Sequence, residues 1–204
     1  DVAYATANWT NIDATTSYSL TCGPVVNIPD ANFKAYLLAN PVINVDGDSE
    51  IQITEAANFT GTIACGNLNI SDLTGIEAFS NLNELRCDLN NLTSLDLSQN
   101  GTLVDLFCPQ NNLTSLSLPQ TGNLAVVDCS SNPLTSLDFN QYNLLALDVR
   151  SCNLNYLNIK NNANLLNQNF NATNNPNLTC IEVSDVAYAT ANLTNIDATA
   201  SFSL

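Results

Sequence analysis

Between residues 82 and 164 the leucines recur in units of 20 to 21 residues, and that spacing restricts the fold more than any other feature of the chain. The units read LNELRCDLNNLTSLDLSQNGT (82–102), LVDLFCPQNNLTSLSLPQTGN (103–123), LAVVDCSSNPLTSLDFNQYN (124–143) and LLALDVRSCNLNYLNIKNNAN (144–164). Leu82, Leu85 and Cys87 fall on the inward side of a short strand, as do Leu103, Leu106 and Cys108 one unit later. A unit this short cannot bury its apolar side alone, so successive units are expected to wind as stacked coils. Asn90, Asn111 and Asn132 stand where a side-chain amide can bond the backbone of the turn and of the adjoining coil. Such bonds satisfy polar groups that stacking would otherwise bury unpaired. Cys152 takes this place in the fourth unit.

Each unit fits L-x-x-L-x-(C/V)-x-x-(N/C)-x-L, the leucine-rich-repeat signature. The predicted fold is a leucine-rich-repeat solenoid, β-rich, wound as a right-handed coil with parallel strands and closed by a small helical N-terminal cap. The second halves (LTSLDLS, LTSLSLP, LTSLDFN, LNYLNIK) alternate apolar and polar residues, which predicts extended backbone on the opposite side of each coil. Residues 63–81 keep the register through Cys65, and 165–184 drift from it at Phe170, as end coils do.

The first twenty residues, DVAYATANWTNIDATTSYSL, return at 185–204 as DVAYATANLTNIDATASFSL. Only Trp9/Leu193, Thr16/Ala200 and Tyr18/Phe202 differ. The repeat distance is 185 − 1 = 184 residues, so the chain reads as one module of a tandem array plus an overlap. The expected organisation is a copy of the preceding module's terminal element at 1–22, a helical cap with an acidic loop at 23–58, coils at 59–184, and a C-terminal cap or connector at 185–204. That connector has the alternation of strands joined by an Asn/Asp-rich turn, with short helical stretches as the alternative.

Charge narrows the function. Four Lys and Arg face 19 Asp and Glu, for a net charge of −15, and there is no histidine. Nucleic acid and anionic membrane surfaces both need clustered cations, so neither is an expected partner. No apolar run approaches the roughly 18 residues of a membrane span, and any export signal is expected outside these residues. Without histidine there is no Ser/His or Cys/His catalytic pair. The plentiful carboxylates would lie on an open surface with nothing to exclude water, so no enzyme is expected.

Two stretches invite ligand chemistry. In the cap, Asp30 is a candidate N-cap for a helix presenting Phe33, Tyr36 and Leu37 on one face. The following loop sets oxygen-bearing Asn44, Asp46, Asp48, Glu50, Gln52 and Glu55 on an EF-hand-like spacing, with Ile51 at its apolar position. A structural Ca²⁺ is the expected cofactor, against the alternative of a metal-free acidic turn. Ser49 stands where glycine is usual, and the exit segment is short for a helix. Of seven cysteines, Cys87, Cys108 and Cys129 repeat in one inward position. Their parallel side chains make disulfides hard to close, so they read as small buried apolar residues. Cys22 and Cys180 lie in the terminal elements. The counterpart of Cys22 in a following module is position 22 + 184 = 206, so the two are disulfide candidates across a module junction.

The coils LRCDLNNLTSLDLSQN and LFCPQNNLTSLSL resemble the cysteine-ladder repeats of the internalin class, and IPDANFKAYLL with NISDLTGIEAFSNL resembles the cap and first coils of bacterial secreted leucine-rich-repeat surface proteins. The resemblance spans roughly residues 27–184 and implies a non-enzymatic, exported protein of the bacterial cell surface used for adhesion or surface architecture. The ladder loses its cysteine at Val149. On the outward strand positions, Phe107 among Arg86, Asp105 and Asp128 is the most recognition-like patch. The expected function is a tandem unit of an extracellular bacterial fibre or giant adhesin, its partners being neighbouring copies of the module. The alternatives are a monomeric adhesin domain binding a host or environmental protein or glycan, and an accessory module of a polysaccharide-degrading enzyme.

Overall fold

The computed structural model describes residues 23–120 and 123–204. The first copy of the duplicated element, with Cys22, lies outside the described residues.

The coils form as the leucine spacing demands. Strands β1 (Gly61–Ala64), β2 (Leu82–Arg86), β4 (Asp105–Phe107), β6 (Val126–Asp128), β8 (Ala146–Asp148) and β10 (Phe170–Asn171) pair in parallel in that order. Leu85, Leu106, Val127, Leu147 and Phe170 are in register. All five are buried, as are Cys65, Cys87, Cys108, Cys129 and Val149 two residues further on. Phe170, where the sequence pattern drifts, thus takes the central inward position of its coil.

The second halves make the other side: β3 (Ser94–Asp96), β5 (Ser115–Ser117), β7 (Ser136–Asp138), β9 (Tyr156–Asn158), β11 (Cys180–Glu182) and β12 (Ser201–Ser203). They divide into a pair, β3–β5, and a sheet of four, β7–β9–β11–β12. The gap between β5 and β7 has a packing cause. Tyr142 is buried beside this gap, its hydroxyl donating to the Pro119 carbonyl at 2.6 Å. That bulk holds the two coils apart on this side, and Leu116 is left partly exposed.

Side-chain amides run through the stack. Asn111 Nδ2 donates to the carbonyls of Cys87 and Cys108, and its Oδ1 accepts from Leu92 N–H at 3.1 Å. Asn90, Asn132 and Asn175 repeat the arrangement. A second row of amides, not read from the sequence, crosses the far turn: Asn100 donates to the carbonyls of Ile76 and Phe79, and Asn162 to that of Phe139. Leu89, Gln110, Ser131, Ser151 and Asn174, each just before a ladder residue, have φ between 54° and 59°. The left-handed residue turns the chain so that the next side chain points inward. For Leu89 that conformation carries a local cost of about 1 kcal/mol, which the ladder offsets.

The cap is helix α1 (Ala31–Leu38) followed by α2 (Ile53–Asn58), which answers the short exit segment with a six-residue helix. Asp30 caps α1 by accepting from Asn32 and Phe33, and its other oxygen accepts from Ser71 N–H and Oγ. Burial raises the Asp30 pKa, but these bonds outweigh it and leave the carboxyl below its usual value. Phe33 and Leu37 are fully buried, while half-buried Tyr36 accepts from Ala64 N–H on the outer edge of β1. At the other end, residues 185–204 begin with a helix where alternation suggested a strand: α3 (Val186–Asn192), favoured by its three alanines and capped by Asp185. Residues 194–197 then lie beside 170–175, through the Ala172–Ile196 bridge and the Asp197 carboxylate, which accepts from Asn174 and Asn175 N–H. With β12 paired to β11, this segment contributes a further turn of the solenoid.

Asn111→Ala strands the Cys87 and Cys108 carbonyls and the Leu92 N–H in the core. We expect a loss of about 3 kcal/mol, read as a thermal midpoint lowered by roughly 6–12 °C. A loss under about 1 kcal/mol would mean that the amide ladder contributes little.

Candidate functional site

The outward positions of the six-stranded sheet form the candidate site. Register places Arg86, Phe107, Asp128, Asp148 and Asn171 in one row across five strands, with Glu84, Asp105 and Val126 in the row beside it. All four residues singled out in the sequence therefore share one patch. The Arg86 guanidinium lies 4.4 Å from the centre of the Phe107 ring, and Arg86 also pairs with Glu84. The aromatic ring is thereby half covered and fixed in place.

Next to Phe107 and Asp128 the sheet opens into a groove of about 400 Å³, walled at its far side by the turn at Asn167–Asn169 and by Asn195. Asp148, Arg150 and Asn171 are the groove residues that composition did not mark out. Their signal was positional, since Asp148 and Arg150 occupy the same outward positions as Asp128 and Ser130 one coil earlier.

The carboxylates here have a structural task. One oxygen of Asp128 accepts from Ser130 N–H, Asp148 from Arg150 N–H, and Asn171 from Thr173 N–H, so each closes the turn after its strand. Burial raises the Asp148 pKa, and neighbouring Asp128 adds to it while Arg150 opposes. Burial likewise raises Asp105, helped by Glu84. Each of the four cations in the chain, Lys34, Arg86, Arg150 and Lys160, is ion-paired with a carboxylate. The face thus offers hydrogen-bond acceptors, amides and one aromatic surface, which suits hydroxyl-rich or amide ligands better than anions.

In the cap loop the six calcium candidates are largely engaged with the loop's own backbone. Glu55 accepts from Val45, Asp46 and Gln52 N–H, Asp46 from Asp48 N–H, and Asp48 from Glu50 N–H. Asn44 bonds the Leu38 and Asp48 carbonyls and the Gly47 N–H, and Glu50 pairs with Lys34. Gln52 is buried, its amide nitrogen on Asp48 and its Oε1 without a partner. Among the described residues no three Asp, Glu, Cys or His side chains gather closely enough to hold a metal ion. Cys180 is a free thiol, its Sγ 2.9 Å from Ser203 Oγ, and its proposed partner Cys22 lies outside the described residues.

The stacked thiols decide the relationship. The solved functional domain of InlJ from Listeria monocytogenes, which includes a cysteine ladder, superposes with a TM-score of 0.59 at 29% identity, covering 81% of this chain and 39% of that one. Internalin J from L. monocytogenes serotype 4b (strain F2365) is 39% identical over 72 residues, covering 35% of this chain. The coils are internalin-like leucine-rich repeats. The match spans only 8% of Internalin J, and no protein-family model matches the chain. Within the internalin-like stack, no described helix is long and apolar enough to cross a membrane.

Proposed function

We propose that this chain is the repeating unit of an extracellular bacterial surface fibre or giant adhesin, a non-enzymatic module joined end to end to its neighbours. The supporting observation is the way residues 185–204 extend the coil stack. Their contacts use Thr194, Asn195, Asp197, Ser201 and Ser203. The near-copy holds the same residue types at Thr10, Asn11, Asp13, Ser17 and Ser19. The same twenty residues thus carry what is needed to end one module and to lead into the cap of the next. The strong negative charge and the internalin-like coils support the cell-surface location. A two-module protein viewed by electron microscopy should form one continuous rod, and longer arrays should form fibres. Two independent beads on a flexible string would overturn the reading.

A second reading is favoured by the groove: a monomeric adhesin that binds a protein or glycan through Arg86, Asp105, Phe107 and Asp128. Binding to immobilised glycans that drops at least tenfold in a Phe107→Ala, Asp128→Ala double variant supports it, and unchanged binding removes it.

The junction disulfide belongs to the array reading. Cys180 Sγ touches Ser203, and the counterpart of Cys22 would follow Ser203 by 206 − 203 = 3 residues, a reach of about 10 Å at most. Non-reducing peptide mapping of the two-module protein should recover that pair cross-linked, and free thiols at both positions would end the idea.

Calcium in the 44–55 loop is likewise a proposal, supported by the loop spacing and by the orphaned Gln52 Oε1. Binding would exchange the Glu55 bonds to Val45 and Asp46 for the ion. Saturating Ca²⁺ should raise the melting midpoint by several degrees over EGTA, and identical melts would exclude the site.

A further inference from the structure

The fourth coil breaks the ladder twice, at two positions three residues apart. Val149 stands where the preceding coils carry Cys87, Cys108 and Cys129, and Cys152 stands where they carry Asn90, Asn111 and Asn132. Ladder side chains at corresponding positions point the same way, which keeps their thiols from the near-perpendicular geometry of a disulfide. Cys152 approaches from a different position. Like the asparagines it replaces, it aims at the preceding coil's ladder residue, its Sγ 3.4 Å from the Cys129 carbonyl oxygen. The two thiols also hydrogen-bond each other, which favours the Cys152 thiolate and disfavours that of Cys129.

The same place lacks the usual polar link between coils. Leu92, Leu113 and Leu154 N–H each bond a ladder Asn of the next coil. At the corresponding position Leu134 N–H turns back to its own chain, to the Asn132 carbonyl at 2.8 Å. Cys129 is fully buried and Cys152 is 2% exposed, so their chemistry must occur as the coils close, before the core is sealed.

We propose that Cys129 and Cys152 form a disulfide that staples the third coil to the fourth, with a low-molecular-weight disulfide such as oxidised glutathione as the oxidant. The Cys152 thiolate attacks one sulfur of that oxidant and releases one small thiol. The Cys129 thiolate then displaces the second small thiol from the mixed disulfide. Two protons leave the cysteines and two small thiols form, so the oxidant takes up both electrons. The closed loop of about twenty residues falls in the range where cross-linking restricts the unfolded chain appreciably.

The 204-residue chain refolded with oxidised and reduced glutathione, blocked with N-ethylmaleimide and digested without reductant tests this. The expected product is a Cys129–Cys152 linked peptide lacking two hydrogens, with Cys87 and Cys108 fully alkylated. Reductant should lower the thermal midpoint of the oxidised protein by roughly 10 °C. A Cys152→Asn variant, which restores the ladder amide and so preserves the coil, should show no linked Cys129 and no response to reductant. Full alkylation of both cysteines, Cys129 linked to Cys108, or a reductant response that survives in Cys152→Asn would each overturn the proposal.

Discussion

Every coil of this protein depends on a side chain from the coil after it. The turn that follows each inner strand is buried, so its N–H and C=O groups have no water, and backbone pairing cannot reach them all. Asn90, Asn111, Asn132 and Asn175 close that deficit, each bonding carbonyls in its own coil and in the one before. Leaving such groups unpaired costs about 1–3 kcal/mol apiece, comparable with burying a leucine. The left-handed residue before each asparagine is the local cost of aiming the amide. The ladder of thiols beside it is its apolar complement: small, fully buried, and held as thiols because burial raises their pKa, to about 12 at Cys65.

The inner strand side was legible in the sequence because burial there leaves few choices. Leucine, valine or phenylalanine at one position and cysteine, valine or alanine two residues later are what fit between coils spaced about 4.8 Å apart. The binding face was half legible. Phe107 stood out as an aromatic among charges, whereas Asp148 and Asn171 look like ordinary turn residues and serve as such. Their place in the same row is a property of register, which becomes visible only once coils of 20 to 24 residues are aligned in space. The far side was least legible. A single Tyr142 in place of an amide is enough to part β5 from β7, and nothing in the alternation of LTSLSLP and LTSLDFN foretells it.

The cap loop shows why a ligand spacing alone underdetermines chemistry. Carboxylates at the calcium positions are equally good acceptors for backbone N–H, and Glu55 serves as the capping-box residue of α2 while holding Val45 and Asp46. The same atoms can close a turn or bind a cation.

The asparagine bonds all run one way, and this gives the solenoid a polarity. At the N-terminal end the cap answers the first coil completely: Tyr36 covers the Ala64 N–H on the strand edge, and Asp30 holds Ser71. At the C-terminal end the last asparagine turn is answered by Asp197, a carboxylate accepting two N–H groups but donating nothing. Past it, β12 pairs on one side only, with Phe202 half-buried and Leu204 exposed. An open edge of this kind is a pairing liability unless something continues it. A stack whose turns are satisfied from the C-terminal side is extended most simply by more chain at that end.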